Sequence, residues 1–142
     1  MSAPAAFEQL KSLAGEWRGQ RPDGRTVEVR YRLSAAGSAL VETWDLGPGV
    51  EALTVYHMDG RALMATHFCP QGNQPRLRMR PSVSEGRLDF DFQDSTGVEP
   101  GHWVQRAFWI ELHPGGTFSR GETYAQDGEE ETEAITYERL GS

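Results

Sequence analysis

The segment Thr26-Val27-Glu28-Val29-Arg30-Tyr31-Arg32-Leu33 alternates without a break, with Val27, Val29, Tyr31 and Leu33 on one side and Thr26, Glu28, Arg30 and Arg32 on the other. A period of two puts successive side chains on opposite faces, so this pattern predicts a strand with one buried and one wet face. The same alternation returns at 76–80, where Leu77 and Met79 separate three arginines, and at 88–92, where Asp89 and Asp91 separate Leu88, Phe90 and Phe92. Further strands are predicted at 16–20, 39–46, 52–58, 62–68, 103–112, 117–124 and 132–140. The total is about ten, at the regular spacing expected of an all-β barrel or sandwich. Before them, Phe7, Leu10 and Leu13 recur at helical spacing in 5–14, and Gly15 stands where a helix would stop.

Short turn signals separate the strands: Pro22-Asp23-Gly24, Gly47-Pro48-Gly49, Asp59-Gly60, Glu85-Gly86, Gly115-Gly116 and Asp127-Gly128. Hairpins of this kind join neighbours in sequence, and closing the sheet removes the edges an open meander would expose. The expected architecture is therefore all-β: a single antiparallel up-and-down barrel of about ten strands with a short N-terminal helix. One domain spans residues 1–142, with a polar connection at 94–102 placed to cross one end.

Composition narrows the function. A formal charge of −7, from 21 acidic and 14 basic residues, argues against nucleic acid, whose binding rests on neutralising phosphates. No apolar run is long enough for a membrane helix, and the start has no basic, apolar leader, so no membrane partner and a cytoplasmic location are expected. The single cysteine, Cys69, excludes an intrachain disulfide and a cysteine-based metal cage. No metal or other cofactor is expected. The acidic run 127–133 lacks calcium-loop spacing, and no phosphate loop, nucleophile elbow, paired-histidine zinc motif or dinucleotide fingerprint is present.

The stretch Leu13-Ala14-Gly15-Glu16-Trp17-Arg18-Gly19, after a short helix and opening a series of strands, resembles the start of calycin-type barrels, including lipocalins and nitrobindin-like proteins. The resemblance implies a tryptophan at the barrel base, here Trp17, covered by an arginine near the chain's end, here Arg139. A second patch runs from Thr54-Val55-Tyr56-His57-Met58-Asp59-Gly60 through His67-Phe68-Cys69 to Asn73-Gln74-Pro75-Arg76. It resembles small bacterial lipocalin-like proteins and names no activity. Nitrobindin-like proteins hold haem on a histidine near the C-terminus, whereas the last histidine here is His113 and 132–140 contains none.

Polar residues that face the lumen are the candidate site. If Ser34 to Gly37 form a turn, Leu33 pairs with Ser38, and Glu42 and Trp44 share the face of Val27, Val29 and Tyr31. If Asp59-Gly60 is a two-residue turn, Met58 pairs with Arg61 and Ala52 with His67, so His57 and His67 face opposite ways. The preferred parity puts Tyr56 and His67 inside and leaves Leu53, Val55, Met64 and Phe68 as an exposed apolar face. That face calls for cover by the helix or a second copy in a homodimer. The opposite parity sets Glu42 near His57. Arg106 is read as an inward cation, joining Glu42, Arg120 and Glu122 in a buried network, because buried charges are costly unless paired.

The expected ligand-binding residues are Glu42, Trp44, Tyr56, His57, His67 and Arg106, around a small apolar or amphipathic molecule. An alternative is an enzyme, an isomerase or hydrolase, using Glu42 with one histidine as acid and base. A second alternative is a haem-binding or homodimeric interaction module. Cys69 reads as a small core residue, and Asn73, Gln74 and Pro75 as loop-shaping.

Overall fold

The computed structural model describes residues 1–81 and 86–141. Helix α1 (Ala3–Lys11) is followed by strands β1 (Gly15–Gln20), β2 (Thr26–Ser34), β3 (Ala39–Asp45), β4 (Glu51–Asp59) and β5 (Ala62–Phe68). Then come β6 (Gln74–Met79), β7 (Arg87–Thr96), β8 (Val104–Leu112), β9 (Phe118–Gln126) and β10 (Glu129–Arg139). Every strand pairs antiparallel with its neighbour in sequence, and β1 pairs with β10, so the ten strands of the described residues close into a barrel. Of the expected turn Glu85-Gly86, Glu85 lies outside the described residues.

The helix is shifted from its expected span. Ser2 Oγ accepts from the Ala5 amide and starts the helix at Ala3, and Ser12 Oγ turns back to the Gln9 carbonyl and stops it at Lys11. Gly15 opens β1 with φ 132° instead of ending the helix. Ala6, Phe7 and Leu10 are buried and plug the barrel end near the β4–β5 turn, together with Leu13. There Arg139 lies opposite Trp17, with its guanidinium 4.2 Å from the indole. Arg139 also donates to the Ala14 and Ser12 carbonyls, and Trp17 Nε1 donates to the Leu13 carbonyl at 2.7 Å. The cation covering the ring thus satisfies carbonyls left open after the helix.

Two hairpins take a different register from the expected one. Leu33 pairs with Leu40, not Ser38, because a tight turn at Ala35–Gly37 is followed by pairing from Ser34↔Ala39. The β4–β5 turn is Gly60-Arg61, with Gly60 at φ 59° in the position that favours glycine, so Met58 pairs with Leu63 and Thr54 with His67. Each correction moves a partner by two residues. Facing is therefore preserved while the opposing residue changes.

Strand β7 continues to Thr96, into the segment expected to be a connection. Arg76 explains the extension: its Nε and Nη2 clamp both oxygens of Asp94 at 2.7 and 2.6 Å across β6 and β7. The connection is accordingly 97–103. It is tied to the loop at 69–73 by Gln71, which bonds both the N–H and C=O of Trp103, and by Asn73 Nδ2, which reaches the Trp103 carbonyl. Asn73 shapes this loop, as its residue type predicts.

Most of the interior is packed with aromatic side chains. Tyr31, Tyr56, Tyr137, Phe90, Phe108 and Phe118 are fully buried, and Phe90 stacks on Phe108 with centroids 4.5 Å apart. The outer face expected to be bare is mostly covered: Leu53, Val55 and Met64 are half-buried, and only Phe68 is exposed. Direct partners such as Val41↔Val55, Leu53↔Phe68 and Met64↔Arg78 lean on one another across the strands. The helix stays at the barrel end and does not provide this cover.

Candidate functional site

Strand register places four inner side chains in one row across β2 to β5: Tyr31 opposite Glu42, Glu42 opposite Thr54, and Thr54 opposite His67. Tyr56 stands two residues beyond Thr54 on the same face. Glu42 is wholly buried and accepts hydrogen bonds from four side chains. Its Oε2 takes the hydroxyls of Tyr31 at 2.6 Å and Tyr56 at 2.8 Å, and its Oε1 takes Trp44 Nε1 at 3.0 Å and Arg120 Nη2 at 3.3 Å. Arg120 Nε faces Oε2 at 3.3 Å as an ion pair without hydrogen-bond geometry. Burial and the adjacent Glu42 charge push both tyrosine hydroxyls well above their ordinary pKa, so they remain donors. Burial pulls the Arg120 pKa down, but Glu42, Tyr56, Glu122 and Tyr31 together outweigh it and keep the guanidinium charged.

Arg120 continues the network outward. Its Nη1 donates to Glu122 Oε2 at 2.8 Å, and Gln105 Nε2 donates to the same oxygen at 3.1 Å. Gln105 also reaches the Tyr124 hydroxyl at 3.4 Å, which lies 3.3 Å from His67 Nε2. His67 Nδ1 lies 3.0 Å from Thr54 Oγ1. A donor chain is consistent throughout: Gln105 to Tyr124, Tyr124 to Nε2, and Nδ1–H to Thr54. Burial, reinforced by the Arg120 charge, lowers the His67 pKa to about 4, so the ring is neutral at neutral pH.

Above this network, at the end of the barrel away from α1, lies a cavity of about 140 Å³. His67, Arg120, Glu122 and Tyr124 form its polar wall, and Trp44, Val27, Ala52 and Ile135 its apolar wall. Arg21 and Glu133 stand at the rim, where Arg21 Nη1 binds both carboxylate oxygens at 2.9 and 3.2 Å. This volume is close to the ~150 Å³ of an engineered cavity that admits benzene, and well below the ~300 Å³ at which drug-sized pockets begin.

The expected site residues therefore divide. Trp44 and His67 line the cavity, whereas Glu42 and Tyr56 lie beneath it in the charge network. His57 is exposed on the outer face, with Nδ1 3.1 Å from the Met58 carbonyl, because alternation along β4 sends it opposite to Tyr56. Arg106 is corrected as well. Gln105 pairs with Tyr124 and Ala107 with Thr123, which leaves Arg106 as the extra residue of a β-bulge, exposed and 4.3 Å over the Phe92 ring. Gln105 joins the network in its place, and Arg120 is the buried cation. No hydrogen bond or ion pair connects Glu42 with either histidine among the described residues. Tyr124, Glu122, Arg21 and Glu133 were absent from the expected binding set. The alternation with Arg120 could have signalled Glu122 and Tyr124, but Arg21 and Glu133 meet only through barrel closure.

The residues do not fit haem. His67, the histidine in the cavity wall, is engaged at both ring nitrogens, and a planar macrocycle exceeds the available volume. Among the described residues no three His, Cys, Asp or Glu side chains converge to hold a metal ion. No described helix is long and apolar enough to cross a membrane.

No protein-family model and no curated protein matches the chain. Among solved structures it is similar to the crystal structure of Rv2717c from M. tuberculosis, with a TM-score of 0.66 and 16% sequence identity over 96% of this chain and 98% of that one. At that identity the likeness concerns the fold.

Proposed function

We propose that this chain is a small-molecule binding protein of calycin-like architecture that receives a compact ligand in the mouth of its barrel. The carrying observation is the cavity of about 140 Å³, with a polar and an apolar wall, set on a buried, ion-paired floor of Glu42 and Arg120. A rigid floor holds Trp44, Tyr124 and His67 in place before a ligand arrives, which lowers the ordering cost of binding. The apolar wall takes the body of an amphipathic ligand and the polar wall orients it.

We read the site as serving binding rather than turnover. Glu42 has four donors on its two oxygens and does not line the cavity, so it is not poised as a general base for a bound molecule. The reducing cytoplasm suits the lone thiol of Cys69, and the net charge of −7 disfavours nucleic acid as a partner. The half-buried outer face removes the main argument for a homodimer.

The test is fragment screening by amide NMR on the whole chain. Monocyclic fragments should shift the resonances of Trp44, Ala52, His67, Tyr124 and Ile135, and Ala52→Trp should abolish the response by filling the cavity. Bicyclic and larger fragments should not bind there. Fragment shifts confined to other surfaces, or unchanged by Ala52→Trp, would overturn the reading.

A further inference from the structure

We infer that the ligand of this cavity is a compact organic cation, an ammonium group carried on a small apolar body, with its N–H donors directed to Glu122. The inference rests on the binding reading above and adds the charge class of the occupant.

The argument begins with which groups are already committed. Each nitrogen of Arg120 is opposed by a carboxylate oxygen: Nε and Nη2 by Glu42, both at 3.3 Å, and Nη1 by Glu122 at 2.8 Å. Arg21 is ion-paired with Glu133 through Nη1. Both cations of the cavity wall therefore meet carboxylates, and an anionic ligand would have to compete with them. Glu122 differs. Its Oε2 accepts from Arg120 and Gln105, while its Oε1 has no hydrogen-bond donor among the described residues. The open acceptor of the polar wall is thus a carboxylate oxygen, which calls for a donor on the ligand.

The local charge points the same way. Glu122 and Glu133 balance Arg21 and Arg120 in the lining, and Glu42 beneath it and Glu131 on the adjoining depression add two further acidic groups. His67 adds no positive charge near neutral pH, because burial keeps the ring neutral. The whole chain carries −7, which favours the long-range approach of a cation over that of an anion. Trp44, Val27, Ala52 and Ile135 accept an apolar body about the size of benzene.

The experiment titrates the intact chain with benzylamine, benzyl alcohol and benzoate, which share one ring and differ in the charge of the head group, with binding read calorimetrically and by NMR shifts at the cavity. A charge-assisted hydrogen bond should make benzylamine at least about tenfold tighter than benzoate, with the alcohol between them. Glu122→Gln should bring the ratio of amine to benzoate affinity close to one. The wild-type comparison stands even where that variant folds poorly. An amine that binds no tighter than benzoate overturns the cation assignment. Binding of the alcohol or benzoate in the cavity would then leave the general binding reading intact. If none of the three binds in the millimolar range, both inferences fall together.

Discussion

Replacing Glu42 by Gln conserves shape and removes one buried charge, which makes it a direct test of what holds the barrel's floor together. Four donors converge on this carboxylate, so a neutral amide must turn its NH₂ toward groups that previously donated to it. The tyrosine hydroxyls can reverse and accept, but Trp44 Nε1 and Arg120 can only donate. The amide oxygen will therefore face Trp44 and Arg120 Nη2, and its nitrogen will face the two hydroxyls and Arg120 Nε. Arg120 is then left buried with Glu122 as its remaining carboxylate, at 2.8 Å. Breaking a buried ion pair costs about 3–5 kcal/mol. Because Glu122 still compensates part of the charge, we expect a loss of about 3 kcal/mol, a large share of the roughly 5–15 kcal/mol by which domains are stable.

The assay is urea unfolding followed by far-UV circular dichroism at neutral pH, for the wild type, Glu42→Gln, Arg120→Met and the double variant. The double variant removes both charges, so it should be more stable than the two single losses predict by at least about 2 kcal/mol. A loss below about 1 kcal/mol for Glu42→Gln, or additivity within about 0.5 kcal/mol, would refute the account of Glu42 as the structural anchor of Arg120. An unchanged denaturant slope is required for either comparison.

His67 has an ordinary pKa of 6.5 that burial lowers to about 4, so the unfolded chain binds its proton first. Its contribution is fully present above pH 6.5 and is lost as pH falls to about 4, an effect of about 3 kcal/mol that His67→Gln should remove from the pH–stability profile; parallel profiles would contradict it. Gly19→Ala should lose about 1–3 kcal/mol in thermal or urea unfolding, because the added methyl would stand 2.6 Å from Ile135 Cγ2 and 2.7 Å from the Thr136 carbonyl oxygen. An unchanged midpoint would show that β1 and β10 can separate freely there.

Much of the barrel was legible because a half-buried strand writes its facing into every second residue. The run from Val27 to Leu33 carries that signal, and the structure puts Val27, Val29 and Tyr31 in the core. Glu42 and Trp44 could be assigned to the same side even from a register wrong by two residues, since such an error preserves parity. Contact was another matter. A pairing of Leu33 with Ser38 sets Glu42 opposite Val29, whereas the observed register sets it opposite Tyr31, and only the latter explains the 2.6 Å hydroxyl bond. Likewise Thr54 meets His67 because the hairpin turns on Gly60-Arg61 rather than Asp59-Gly60.

Arg106 shows why parity alone does not define a binding site. An unbroken β8 would carry the inner face of Ile110 and Phe108 straight to Arg106, and a cation there would complete the charge balance with Glu42 and Glu122. The bulge changes the alternation after Ala107 and gives that inner position to neutral Gln105. One extra residue thus takes a positive charge out of the site. With Arg106 in the wall, a second buried guanidinium would compete for the carboxylates of the site. With Gln105 instead, Glu122 Oε1 keeps an open acceptor, and the balance turns toward a ligand that brings its own donor.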